Sequence, residues 1–154
     1  MSNYFQLPVE VRNLANEELG FSVLKHAMSA HRDYHLELKV ENGALVGFAI
    51  YSQVGDTGYV DALVVARDFQ GGGYGKMLLL KAVKALSLYG CSRVIIVFRR
   101  PPYTDGGNFE KSLTRVGFRS FAEKKKPYSN EDYQCQLCGE FPDACDAVYY
   151  QLPL

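Results

Sequence analysis

Residues 70–76 read Gln70-Gly71-Gly72-Gly73-Tyr74-Gly75-Lys76, the densest chemical signal in the chain. Three consecutive glycines and a fourth at Gly75 let backbone amides approach a ligand with no Cβ in the way. A helical pattern starts directly behind them, so the first amides of that helix are unpaired donors where the dipole favours an anion. Phosphate is the natural ligand. Two familiar phosphate loops do not fit. A dinucleotide fingerprint starting Gly71-x-Gly73 needs glycine where Lys76 stands. A P-loop needs glycine where Gln70 stands, and serine or threonine where Met77 stands.

Three further groups invite a chemical reading. Asp61 is a polar intruder in the apolar run Tyr59-Val60-Asp61-Ala62-Leu63-Val64-Val65, so its ionised form needs a reason to be there. Base work, a solvent-facing strand end and an ion pair are the readings it leaves open. Cys135-x-x-Cys138 with Cys145 is an incomplete zinc pattern, because structural zinc takes four ligands. Cys91, Asp143, Asp146 or a residue of a second chain are the conceivable fourth, and the incomplete set favours reduced, metal-free thiols over zinc. His26, His31 and His35 read as solvated or capping side chains. Cys91 reads as a small apolar residue.

The elements that must position these groups follow from hydrophobic period. Residues 1–33 read as helical, with Leu14, Glu17, Glu18, Phe21, Leu24 and Lys25 recurring at three and four and Asn16 as N-cap; Gly20 admits two short helices in place of one. Tyr34 to Val40 alternates as a half-buried strand, Asn42-Gly43 is a tight hairpin turn, and Ala44 to about Val54 returns as a deeper strand. The expected register sets Val40 against Leu45 and Leu38 against Gly47. After a turn at 55–58 come the strand 59–65, the glycine loop, a helix from about Gly73 to Tyr89 ended by Gly90, and a strand from Val94 to Phe98. Strand, helix, strand in this order predicts a right-handed parallel crossover. A short helix capped by Asn108 with Phe109, Leu113 and Val116 on one face, a strand from Phe118 to Phe121 and a last strand from Ala147 to Leu152 complete the pattern. The class is α+β: a mixed, mostly antiparallel central sheet with one parallel β-α-β crossover and flanking helices.

The chain has 154 residues, 47% apolar and 22% charged, which predicts a single domain over 1–154 with a cysteine-containing insertion at about 122–146. Seventeen basic residues balance seventeen acidic ones, which argues against a protein built to coat nucleic acid. The run Lys124-Lys125-Lys126 beside a proline reads as a solvated turn. No window is apolar enough for a transmembrane helix, and the first residues lack the features of a secretory signal, so a cytoplasmic protein with no membrane partner is expected.

The hexapeptide Gln70-Gly71-Gly72-Gly73-Tyr74-Gly75 fits Gln/Arg-x-x-Gly-x-Gly/Ala. With Leu63-Val64-Val65 before it and Lys76-Met77-Leu78-Leu79-Leu80 behind it, it closely resembles the central motif of the GNAT superfamily of acetyl-CoA-dependent N-acetyltransferases. The resemblance is densest over 59–90 and extends to the order of elements, the acyl-CoA N-acyltransferase arrangement. It implies that the amides of residues 71–76 hold the CoA pyrophosphate, with Gln70 opening the motif. It implies too that Leu63, Val64 and Val65 bind the pantetheine arm like an added strand, in a gap beside the strand at 94–98. An amide near Leu63 then faces the thioester carbonyl, where a preorganised donor stabilises the oxyanion.

Direct attack by a primary amine requires a neutral amine, and a lysine-like amine of pKa about 10.4 is mostly protonated at neutral pH. Asp61, two residues before Leu63, is the expected base. The family's usual acid is a tyrosine four residues before a Gly-Phe pair; Gly117-Phe118 is present, but Leu113 stands there. Tyr103 is the expected substitute, with Tyr128 as another. The insertion carries Tyr128, Tyr133 and Phe141 with Glu131, Asp132 and Glu140, expected to form an acidic and aromatic wall for a cationic acceptor. The implied acceptor is a small-molecule or peptide amine, and the implied assembly a monomer or homodimer. The rival readings are a CoA- or acyl-CoA-binding module without catalysis, for which Leu113 argues, and a zinc-stabilised interaction domain organised by Cys135, Cys138 and Cys145.

Overall fold

The computed structural model describes residues 4–19, 23–28, 32–100, 107–125 and 145–154. Helices α1 (Val9–Leu19) and α2 (Val23–Ala27) precede strands β1 (Tyr34–Glu41), β2 (Ala44–Val54) and β3 (Thr57–Val65). Helix α3 (Tyr74–Leu88), strand β4 (Arg93–Arg100), helix α4 (Gly107–Val116) and strands β5 (Arg119–Lys124) and β6 (Asp146–Pro153) follow. The six strands form one sheet in the order β1-β2-β3-β4-β6-β5. Only β3 and β4 are parallel among its pairs, as the β3–α3–β4 crossover requires. The expected mixed sheet with flanking helices is therefore what the chain forms.

Residue alternation along β2 divides the interior in two. Ala49 and Tyr51 join Leu78, Leu79, Ala82 and Leu86 of α3 and Leu113 of α4 on one face. Phe48 and Ile50 join Val11, Leu14 and Ala15 of α1 and Leu24 of α2 on the other. Each fully buried leucine in these layers removes about 1.5–3 kcal/mol of apolar surface energy from water. β2 is buried continuously from Val46 to Ser52, which explains its apolar character on both faces.

Three local expectations are corrected. Helix α1 begins at Val9, not at an Asn16 cap: the Pro8 carbonyl accepts from the amides of Val11 and Arg12, and Asn16 lies inside the helix. The hairpin turn has positive φ at both Asn42 (50°) and Gly43 (80°), and Val40 faces Leu45 as expected. Leu38, however, faces Phe48, because Val46 is an extra residue in β2 that advances the register by one. Asn108 sits within the first turn of α4, whose first residue is Gly107. Among the described residues no helix is long and apolar enough to cross a membrane.

Candidate active site

The sheet is not closed between its parallel strands. Thr57 to Val60 pair with Arg93 to Ile96, and there the ladder stops. β3 continues to Val65 bound to β2, and β4 continues to Arg100 bound to β6, so the two strands part from Asp61 and Val97 onward. The amide of Ala66 donates to the Val46 carbonyl at 2.7 Å, which fixes the alternation at the end of β3. The backbone groups of Val64 accordingly face β2, while those of Leu63 and Val65 face the opening. A strand edge with unpaired donors and acceptors, next to a second strand that bends away, is a place where an extended ligand can add as a strand.

That opening leads to the glycine loop. Gly71 and Gly73 hold φ of 85° and 84°, a left-handed conformation that a residue with a Cβ adopts only under strain. Gly73 caps α3, no side chain caps that end, and the first intrahelical bond is Met77 to the Gly73 carbonyl at 3.1 Å. The amides of Tyr74, Gly75 and Lys76 are thus the helix's unpaired donors. Gln70 plays a different part: its Nε2 donates to the Val65 carbonyl at 3.0 Å and to Glu18 Oε2 at 3.4 Å. Glu18 Oε1 also accepts the Arg67 amide at 3.2 Å, so α1 ties down the base of the loop. Lys76 is exposed, and Tyr74 packs edge-on against Phe69 with Lys39 Nζ 5.9 Å from its ring centroid.

Asp61 stands at the point where the strands part. Ile50 faces Ala62 and Tyr51 faces Val60, leaving Asp61 as the extra residue of a β-bulge. The bulge sets Asp61 beside Ser52, on the α1/α2 face that Ala62 and Val64 also occupy, while Leu63 and Val65 turn to the α3 face. Buried Ser52 Oγ donates to Asp61 Oδ2 at 2.6 Å, and Arg32 Nη1 lies 3.4 Å from Oδ1. Arg32 stacks over the Tyr59 ring at 4.7 Å. Burial raises the Asp61 pKa to about 6, against the lowering effects of the Ser52 hydrogen bond and the Arg32 charge. A carboxylate poised near neutral pH, where two parallel strands part, suits proton abstraction.

Leu113 is fully buried in the α3/α4 core, so no polar group stands there. Tyr150 lies opposite Ile96, where the ladder between β3 and β4 ends, but its hydroxyl donates a hydrogen bond to Glu110. Arg100 grips the same carboxylate, Nε at 3.0 Å and Nη2 at 2.7 Å. Burial and the Glu110 hydrogen bond raise Tyr150 to about 12, and Glu110 raises Arg100 above its ordinary value.

Sequence reasoning missed Ser52, Arg32 and this Glu110 cluster. Serine at the end of the apolar run of β2, and glutamate three residues before Leu113 on the inner face of α4, were the available signals; nothing marked Arg32. Tyr103, Tyr128, Tyr133, Phe141, Glu131, Asp132, Glu140, Cys135, Cys138 and Asp143 lie outside the described residues, as does His31. Cys91 and Cys145 are both buried, and burial raises the thiol pKa of Cys91. Among the described residues no group of three metal-ligating side chains gathers. His35 is exposed and stacks on Tyr51. Lys125 is exposed at the end of β5, paired with Glu123 and Asp146.

Comparison with known proteins gives the family and the fold. The model of the acetyltransferase (GNAT) family matches residues 7–104. Among curated proteins no sequence matches. The ribosomal-protein-S18-alanine N-acetyltransferase of Escherichia coli is similar in fold with a TM-score of 0.70 at 18% identity, covering 94% of this chain and 86% of that one. The IAA acetyltransferase of Bacillus cereus gives 0.72 at 19%, over 97% and 94%. A GNAT family acetyltransferase of Elizabethkingia anophelis, solved with acetyl-CoA bound, gives 0.65 at 19%, over 79% and 76%.

Proposed function

The chain belongs to the GNAT acetyltransferase family and is an N-acetyltransferase, and we propose that it moves the acetyl group of acetyl-CoA to a primary amine by direct attack in a ternary complex. The observation that carries this reading is the parting of β3 from β4 at Asp61, in line with the glycine loop at the start of α3.

In this reading the amides of residues 71–76 hold the pyrophosphate, and Gln70 and Glu18 keep that loop in shape. The Leu63–Val65 stretch lies along the pantetheine arm, offering the Leu63 groups and the Val65 amide, with Val64 anchoring the strand to β2. The Leu63 amide supports the oxyanion formed when the amine nitrogen bonds to the thioester carbon. Asp61 takes the proton of the incoming ammonium, at a pKa of about 6. The C–S bond then breaks, and the departing thiolate needs a proton. Leu113 has none to give and Tyr150 has committed its own to Glu110, so we assign that step to Tyr103. No metal is needed.

Thermal unfolding with acetyl-CoA, CoA or ATP at matched saturating concentrations tests the groove. A ligand at a hundred times its Kd adds about 2.7 kcal/mol, several degrees for a domain of this size. Stabilisation by acetyl-CoA and CoA but not by ATP, followed by thiol release with an amine panel, is the expected result. Stabilisation without turnover of any amine marks a binding module instead. No shift with either CoA ligand removes the groove from the account.

A further inference from the structure

Arg100 shows how this chain builds a guanidinium–carboxylate pair that holds structure: two nitrogens donate to Glu110 at 3.0 and 2.7 Å. Arg32 is arranged differently. Its Nη1 alone reaches Asp61 Oδ1, at 3.4 Å, and the same nitrogen lies 3.4 Å from Ser52 Oγ. Tyr59 supports the guanidinium plane from one side, with Cζ 4.7 Å from the ring centroid. Among the described residues every hydrogen bond of this guanidinium runs through Nη1. Neither nitrogen of the Nε–Nη2 edge, whose two parallel donors match a carboxylate, has an acceptor among the described residues. The Arg32 side chain is 30% exposed where Asp61 is 12% exposed, so this side chain lies nearer solvent than the base it accompanies.

A cation beside the base is also a selector. An acceptor carrying only positive charge is repelled by Arg32 as it approaches Asp61, whereas a zwitterion offers each of the two charged residues its opposite. We infer that the acceptor is an amine with a carboxylate on a neighbouring carbon, an α- or β-amino acid, whose carboxylate is held by the Nε–Nη2 edge of Arg32 while its amino group meets Asp61. This rests on the acetyl-transfer reading above and adds the acceptor class to it. The attack itself is unchanged, and Arg32 neither gains nor loses a proton.

The test is thiol release from acetyl-CoA by the full chain. Leucine, phenylalanine, methionine and β-alanine are each compared with the decarboxylated amine and with the amide of the same amino acid. A charge-assisted pair makes kcat/KM for the best acids at least about tenfold higher than for their uncharged-end partners. Arg32→Gln brings that ratio close to one, and Arg32→Lys restores part of it. Any change in Asp61 basicity on losing Arg32 acts on both members of a pair and cancels in the ratio. The acetyl-CoA thermal shift of Arg32→Gln should match the parent's, showing a folded and loaded protein. Amines turned over no worse than their acids, or a ratio unmoved in Arg32→Gln, overturn this inference alone. A chain that binds acetyl-CoA and turns over neither series but does acetylate another amine overturns this inference alone, and one that turns over no amine at all overturns the acetyl-transfer reading with it.

Discussion

Asp61 and Glu110 are both carboxylates taken out of water, each beside an arginine, on opposite faces of the same sheet. Glu110 accepts two hydrogen bonds from Arg100 and one from Tyr150, and it ties α4 to β4 and β6. Asp61 accepts one good hydrogen bond, from Ser52, and has only a loose contact with Arg32. The difference separates a carboxylate that fixes structure from one that is kept ready to react. At Asp61 burial outweighs the Ser52 hydrogen bond and the Arg32 charge, which pushes its pKa up to about 6.

The largest effect that would break this contrast is on turnover. Asp61→Asn should lower kcat/KM by about 10²- to 10⁴-fold, read as thiol release, because the base is gone. The same variant should unfold at the parent's temperature or above it near neutral pH. Folded Asp61 keeps its proton to about pH 6, whereas the unfolded carboxyl releases it near 3.8. Between these values the folded state binds more protons, so this group's contribution to stability is full below the lower value and is lost as pH rises through the upper. Removing the charge removes that loss. A marked drop in melting temperature for Asp61→Asn would put the two carboxylates in the same class.

Glu110→Gln should show the opposite profile. Breaking a buried pair by removing one partner costs about 3–5 kcal/mol, a fall on the order of 10 °C in a thermal scan, while the folded fraction still binds acetyl-CoA. A smaller effect is expected at the loop: Gly73→Ala forces a Cβ into φ 84°, costing about 1 kcal/mol and weakening the acetyl-CoA shift. Smallest is Lys125→Ala, an exposed residue at the end of β5, which should leave unfolding and turnover unchanged.

Much of this arrangement could be read before any coordinates. The glycine loop announces itself because positive φ and close backbone approach both demand glycine, and Gly71 and Gly73 carry the positive φ. The succession of strands along the chain followed from hydrophobic period and turn residues, whereas the place of β6 between β4 and β5 did not. Asp61 was visible as a charge in an apolar run, but its setting was not: a single extra residue in β3 brings it beside Ser52, and bulges leave no mark in hydrophobic alternation. The extra Val46 in β2 displaced the hairpin register for the same reason. Arg32 and the Glu110 cluster were hidden more deeply, since Glu110 meets Arg100 and Tyr150 across separations of 10 and 40 residues that no local pattern encodes.

The most direct measurement is the pH dependence of kcat/KM in the parent, in Asp61→Asn and in Tyr150→Phe. The parent should lose activity as pH falls through about 6, where Asp61 takes up its proton. Asp61→Asn should be slow with no such limb, and Tyr150→Phe should keep the parent's limb. A limb near 6 that survives in Asp61→Asn, or that moves in Tyr150→Phe, would contradict the account and transfer the base to another group.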